Sequence, residues 1–454
     1  MNRGPEITVI GGGLAGCEAA WQAARRGIGV VLFEMRPTVR TGAHETDRLA
    51  ELVCSNSLKS DAPGTASHLL KQELRRLGSL AIRIADEVHV PAGHALAVDR
   101  NRFAERVTEE MLREPLIRLV REEVRNLPEE GIRVVATGPL TSESMCRSIA
   151  GFTGAANLYF HDAISPIVDA GTLDRSRVFE ASRYGKGGED YLNAPMTAGE
   201  YDIFYEAFVN AESVPLHGFE SATYFEGCLP IEELARRGKD TLRFGPMKPV
   251  GLCDPQTGRR PYAAVQLRRE NLMADSYNLV GFQNHLRFPE QQRIFRLIPG
   301  LQAAEFLRFG QIHRNTYIQS PEILKPTLQS KKDPALFFAG QICGVEGYVE
   351  SVATGLLAGL NAGRSVIGLP PVVPPIPTAC GSLTHYISHA EPRHFQPANI
   401  SFGLLPEVTG ELKRRVRDRQ ERHRIQVADA LTVMEEWIAS LARESGMVQC
   451  RMEP

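Results

Sequence analysis

Residues Ile7 to Glu34 restrict the fold more than any other stretch. "ITVI" is a short β-branched apolar run, Gly11, Gly13 and Gly16 follow as GxGxxG, "CEAAWQAARRG" has a helical pattern with Gly27 as its stop, and "VVLFE" is a second strand ending in Glu34. Strand, glycine turn, helix, strand and acid in this order make a dinucleotide-binding βαβ unit. The glycines let backbone approach a pyrophosphate, the helix N-terminus offers it a positive dipole, and the acid accepts from ribose hydroxyls. The expected contacts are Gly11, Gly12, Gly13, Leu14, Ala15, Gly16, Glu34, Met35 and Arg36.

Two later segments point to FAD. "RVVATGPL" (133–140) is a strand ending in Ala-Thr-Gly, a turn at Gly138 that resembles the one flavoproteins place near the cofactor. "ALFFAGQICGVEGYVESVATGLLAGLNAGR" (335–364) is another strand, glycine loop and helix, with Gly340, Gly344, Gly347 and Tyr348 as candidate contacts. Gly355 and Gly359 lie four apart on one helical face and read as close helix packing. The expected fold is therefore α/β. A Rossmann-like FAD-binding domain is split between residues 1–180 and 311–454, the second part carrying a C-terminal helical region at about 407–446. An α+β domain is inserted at 181–310. Within the insert, "AGEYDIFYEAFVNAE" reads as helix, "TLRFGPMKPVGL", "YAAVQLR" and "YNLVGF" as strands, and Pro255–Pro261 as a turn. "LPPVVPPIP" (369–377) is a stiff extended connector.

Composition narrows the function classes. Lys plus Arg (52) nearly balances Asp plus Glu (54) in 454 residues, so any nucleic-acid surface must be local. No run of about 18 apolar residues marks a membrane span, and "MNRGPEITVIGGG" enters a strand without the apolar segment of a signal peptide. The eight cysteines are scattered and form no CxxC, which fits neither a zinc site nor a disulfide framework. Reduced thiols in a cytoplasmic protein are the simplest account.

Several residues are candidates for chemistry. Cys228, in "YFEGCLPIEELARRG", precedes a helix beginning after Pro230, where the dipole lowers a thiol pKa; it reads equally as a core cysteine in a tight turn. Cys54, in "LVCSNSLKS", belongs to the dinucleotide domain and either faces the cofactor or fills the core. Lys248 stands between prolines in "GPMKPVGL", presented rigidly for an anion or left on the surface. His313, Arg314, Asn315 and Tyr317 could stack on and hydrogen-bond a heterocycle, or form a structural ion pair. The run "ELKRRVRDRQERHR" could track phosphates, but Glu411, Asp418 and Glu421 suit i,i+4 pairing on a solvated face.

Taken together, "EMRP" (34–37), "CSNSL" (54–58), "ATGPLTS" (136–142), "GPMKPVGL" (245–252), "HRNTY" (313–317) and "GVEGYVES" (344–351) resemble the folate- and FAD-dependent tRNA (uracil-5-)-methyltransferase family (TrmFO), and the motifs extend to "FQPANISFGLLP" (395–406). Ala194 stands where that family often has cysteine, and Ala398 where it often has methionine. The resemblance implies formation of 5-methyluridine in the T-loop of tRNA. Methylenetetrahydrofolate would be the one-carbon donor, reduced FAD would supply hydride, and NADH or NADPH would re-reduce the flavin. Uracil C5 becomes nucleophilic only after a thiolate adds at C6. The resemblance implies Cys228 in that role and Cys54 on the flavin side, though the two are exchangeable by sequence. It implies folate contacts by His313, Arg314, Asn315 and Lys248. Reaching a uridine inside a folded loop requires taking it out of its stack. Arg236, Arg237, Lys239, Lys413, Arg414 and Arg415 are then the expected tRNA contacts. No metal, membrane or obligate protein partner is expected.

Three rivals remain at this stage. The sister family that modifies the wobble uridine (MnmG) shares the fingerprint but is longer, with an extra C-terminal domain. A general NAD(P)H-dependent flavin oxidoreductase would normally carry a redox cysteine pair. A flavin-containing RNA-binding protein without turnover would make no methyluridine.

Overall fold

The computed structural model describes residues 6–154, 158–185, 188–214, 229–408 and 410–452. Strands are numbered β1–β16 in chain order among these residues. β1 (Glu6–Ile10) is the centre of a parallel sheet, flanked by β2 (Gly29–Phe33) and β7 (Ile132–Val135). β6 (Ile117–Val120) extends the sheet beyond β2, and β16 (Leu336–Phe338) beyond β7. The order β16-β7-β1-β2-β6 shows that the last strand comes from the far side of the insert, as the split-domain reading requires. Ile7, Val9, Leu32, Val134 and Phe337 are fully buried, as in a sheet covered on both faces.

The helix Leu14–Ala24 has alanine at five of its eleven positions, which favours helix and leaves a thin surface. The helix Tyr348–Val366 lies against it at Gly355 and Gly359. A Cβ at Gly355 would stand 2.3 Å from the Ala15 carbonyl oxygen, and one at Gly359 2.3 Å from that of Ala19. The packing reading of these two glycines therefore holds.

A second core runs from Val168 to Phe306. Its sheet has the order β10 (Phe179–Glu180), β11 (Tyr191–Met196), β12 (Ala263–Arg269), β13 (Ser276–Leu279), β9 (Ile167–Asp169), β14 (Phe306–Arg308). This core begins before residue 181, because β9 lies between β13 and β14 and carries Val168 inward. The helix Ala198–Val209 starts with a Thr197–Glu200 capping box and buries Tyr201, Phe204 and Phe208. "YAAVQLR" and "YNLVGF" become β12 and β13. "TLRFGPMKPVGL" does not become a strand: only Thr241–Phe244 is regular, a short helix, and turns follow. Pro246 and Pro249 lack ladder donors, and Gly251 turns at φ +87°.

Two small sheets join the cores. β3 (Ser57–Ser60) and β4 (His89–Val90) flank β5 (Ala95–Val98). β8 (Leu158–Ala163) pairs with β15 (Ile312–Tyr317) as an antiparallel ribbon between the halves of the chain. The joint beside β3 is polar and tightly bonded. Asn56 donates to the carbonyls of Val98 and Arg269 and accepts from Arg268 Nε at 2.7 Å. Past residue 369 the chain is extended to the helix Ala379–His389. The charged tail forms the helices Gly410–Arg415 and Arg419–Met452, and the second seats Val427, Ala430 and Met434 in the first core.

Candidate active site

The C-terminal ends of β1, β2, β7 and β16 open into a cleft lined among others by Gly11–Ala15, Glu34–Arg36, Ala136–Ser142, Gly340 and Tyr348. Open parallel sheets bind ligands at such strand ends. Gly11 turns at φ +106°, where a Cβ would meet the Ala136 carbonyl oxygen at 2.5 Å. Gly13 caps the helix Leu14–Ala24 without a side-chain bond, and a Cβ there would enter open space. A pyrophosphate thus has free approach to the first amides of an 11-residue helix.

Glu34 is held in place at the cleft wall. Its Oε2 accepts from Gly12 N–H at 3.0 Å, and its Oε1 accepts from the Arg36 amide at 3.0 Å and from Arg36 Nε at 2.9 Å. Burial pushes its carboxyl up, but Arg36 and the two amides outweigh this and leave it below the ordinary range. A carboxylate has about four lone-pair sites. Three are used here, so one on Oε2 is left for a hydroxyl donor. Glycine cradle, open helix end and ionised acid together fit the dinucleotide of FAD.

A second cavity adjoins the first and shares Val53, Pro139, Leu140, Gln341 and Tyr348 with it. Cys54, Ser55, Ser57, Lys59, Asn315, Glu346, Gly347 and Asn399 are among its other walls. Cys54 is therefore not core filler. Tyr348 Oη accepts from the amides of Cys54 (2.8 Å) and Ser55 (3.2 Å) and donates to Cys54 Sγ at 3.3 Å. Lys59 adopts φ +63° and donates to Glu350 Oε1 at 2.8 Å and to Asn399 Oδ1. By contrast, Cys17 and Cys343 are buried and desolvation raises their thiols, that of Cys343 to about 12.

Of the remaining expected contacts, Gly16 and Gly344 line neither cavity. A Cβ on Gly16 would meet the Gly11 carbonyl oxygen at 1.8 Å, and one on Gly344 would meet the Phe395 ring at 2.3 Å, so both serve close packing. Asn315 is buried on β15 and faces the second cavity. His313 and Arg314 share that strand, opposite Asp162 and His161, while their side chains lie outside the described set. Lys248 lies away from both cavities, its ammonium 5.9 Å from the Tyr184 ring centroid. Arg236 pairs with Glu233, and Lys239 pairs with Asp202 at 2.7 Å, both on the exposed face of the insert with Arg237. Arg414 and Arg415 are exposed; the Lys413 side chain is outside the described set.

Cys228 lies outside the described residues. Its described flanks are anchored close together: Val214 N–H donates to the His285 carbonyl, and Ile231 N–H to the Gln283 carbonyl at 2.7 Å. Gln283 is itself a wall of the second cavity.

Sequence reasoning missed His44, Glu51, Lys59 and Arg100. His44 lines the first cleft, where burial and then the nearby Arg36 charge lower its pKa to about 4. Lys59 and Arg100 act through partners distant in the chain, Glu350 and Asn399 for the first and Glu270 for the second, whereas His44 and Glu51 bond within their own loop without a recognisable motif.

The family described as glucose inhibited division protein A (GIDA) matches residues 6–370. Methylenetetrahydrofolate–tRNA-(uracil-5-)-methyltransferase TrmFO of Koribacter versatilis is 59% identical over 436 residues, covering 96% of this chain and 98% of that protein. The chain belongs to the TrmFO family. The TrmFO of Solibacter usitatus is 58% identical and covers 95% of this chain and 98% of its own. Among solved structures, GidA of Aquifex aeolicus aligns with 97% of this chain and 76% of its own at a TM-score of 0.67 and 18% identity, a likeness of fold. Membership in TrmFO, within the wider GIDA family, places the split sheet and its insert in a flavoprotein architecture.

Proposed function

We propose that this chain is a methylenetetrahydrofolate-dependent tRNA (uracil-5-)-methyltransferase that forms 5-methyluridine in the T-loop, with FAD in the first cleft and NADH or NADPH as reductant. The observation that carries the reading is the shared wall. A cavity holding Cys54 opens onto the dinucleotide cleft through Tyr348, Pro139 and Leu140. An enzyme that passes a one-carbon unit from folate by way of a flavin to uracil needs such contiguous spaces. When bound, FAD supplies the hydride and one-carbon relay chemistry that side chains lack.

The chain's own residues prepare and enclose the reaction. Gly11–Ala15 and Glu34 hold the dinucleotide. Asn315, His313 and Arg314 belong to the strand that borders the second cavity and are the proposed folate contacts; Lys248 would reach folate only through a movement of the insert. A thiolate from Cys228 adds to uracil C6 and makes C5 the nucleophile, and Cys54 serves on the flavin side. The exposed cations Arg236, Arg237, Lys239, Lys413, Arg414 and Arg415 bind the tRNA backbone. Among the described residues no helix is long and apolar enough to cross a membrane, and we place the reaction in the cytoplasm, without an obligate protein partner.

The test is unmodified tRNA transcript with FAD, NADPH and isotope-labelled methylenetetrahydrofolate, read by nucleoside mass spectrometry. Label should appear in 5-methyluridine and vanish in Cys228→Ala. Consumption of NADPH with no methyluridine would instead favour an oxidoreductase.

A further inference from the structure

We infer that Tyr348 and Arg100 are positioning residues that hold Cys54 as a hydrogen-bonded thiolate facing the second cavity. The inference deepens the proposed function and rests on its placing chemistry in that cavity. It begins from the valence of one hydroxyl. A tyrosine oxygen offers two lone pairs and one proton. The amides of Cys54 and Ser55 occupy both lone pairs of Tyr348, so its proton is directed to Cys54 Sγ. The sulfur is thereby the acceptor, and Tyr348 has no lone pair left to receive a proton from it. A hydrogen bond to an anion is about twice as strong as one between neutral groups, so this arrangement favours the thiolate over the thiol. Its proton leaves to solvent.

Burial and the adjacent Cys54 hold the Tyr348 phenol well above its ordinary range, which keeps it a donor at neutral pH. The cations around the thiol act in the same direction. Arg100 Nε donates to Glu270 Oε2 at 2.9 Å and Nη1 to the Leu52 carbonyl at 2.8 Å, while Nη2 is buried without a hydrogen-bond partner among the described residues. Arg268 is buried on β12, and both guanidiniums interact electrostatically with Cys54. The other charged groups packed around this spot are Arg308 on β14, which interacts with Arg100 and Tyr348, Glu270 after β12, and Lys59, Glu346 and Glu350 about the cavity. Glu350 pairs with Lys59, Glu270 with Arg100 and Glu45 with Arg308, so among the described residues Arg268, held by Asn56, is the guanidinium near the thiol without an ion-pair partner.

The test is a pH titration of the flavin-loaded protein labelled with 13Cβ-cysteine. The Cys54 resonance is assigned by its loss in Cys54→Ser. The wild-type midpoint should fall below the ordinary thiol value of about 8.5. Tyr348→Phe, which keeps the ring, should raise it by about one unit, a tenfold drop in the thiolate-to-thiol ratio at pH 7. Arg100→Gln should also raise it, while Arg100→Lys should restore most of the shift. A wild-type midpoint at or above 8.5 would overturn the inference. So would a Tyr348→Phe protein with lowered melting temperature but an unmoved midpoint, which would leave Tyr348 only an anchor for the Cys54 loop. Because the titration needs no tRNA or folate, its failure is separable from a failure of the methyl-transfer reading.

Discussion

Replacing Gly355 by alanine forces a Cβ to 2.3 Å from the Ala15 carbonyl oxygen and 2.7 Å from Ala15 Cα. Ordinary contact needs about 3.5 Å or more, so the two helices must separate by roughly an ångström at that crossing. Both clashing groups are backbone and cannot rotate aside. Overpacking of this kind costs about 1–3 kcal/mol, with Gly355 at the upper end. Alanine returns about 1 kcal/mol of helix propensity, so the net loss is about 2 kcal/mol. The shift also reaches function, because one helix begins at Tyr348, beside Cys54, and the other behind the Gly11–Gly13 turn. Urea denaturation at constant slope gives the stability, and flavin absorbance after gel filtration gives FAD retention. Gly359→Ala should behave alike, with Ala19 as its obstacle. Gly363→Ala is the control: its nearest neighbour would be Ile28 Cγ1 at 3.8 Å, so it should be neutral or gain up to about 1 kcal/mol. Equal stability of the Gly355 and Gly363 variants would refute the packing argument.

Glu73 accepts from the amides of Ala379 and Cys380 at a helix start, yet burial pushes its carboxyl up to about 7 from an ordinary 4.5. A raised folded-state value means that its contribution is intact below pH 4.5 and is lost as pH rises through 7. Wild type should therefore lose about 3 kcal/mol relative to Glu73→Gln between pH 4.5 and 8; parallel urea midpoints across that range would contradict this. The double variant Arg414→Glu, Arg415→Glu should reduce the slope of log Kd for tRNA against log salt by about 2, and an unchanged slope would remove these arginines from the RNA contact.

The dinucleotide half of the molecule was legible because its signal is local. The Ile7–Glu34 unit carries strand, turn, helix and acid within one stretch; Gly11, Gly12 and Gly16 each answer to a nearby atom, while Gly13 leaves open space. At Gly16 the fingerprint does not distinguish a glycine that admits a ligand from one that admits the backbone of the preceding turn, here the Gly11 carbonyl. Cys54 and Tyr348 are 294 residues apart, so their hydrogen bond left no trace in either segment. "TLRFGPMKPVGL" had the β-like composition of a strand, but its prolines and Gly251 decide the backbone before side-chain preference can act. In the charged tail the helical reading holds in two pieces, broken at 416–418, and the described pair within the run is Arg424 with Glu421 at i,i+3 rather than i,i+4; whether its arginines meet RNA is a matter of surface, which periodicity does not encode.

The strand order has a consequence for how the protein is made. β7 leaves the ribosome with one edge bare, and β16, its partner, follows some two hundred residues later. At roughly 5–20 residues per second, that edge waits about 10–40 s, during which the insert is synthesised and can condense around its own core. The flavin cleft is not closed until Tyr348 and Ser351 have emerged as well. Cofactor capture therefore belongs to the last quarter of translation, and a nascent chain stalled within the insert would expose an unpaired parallel strand to chaperones and to its neighbours on the same polysome.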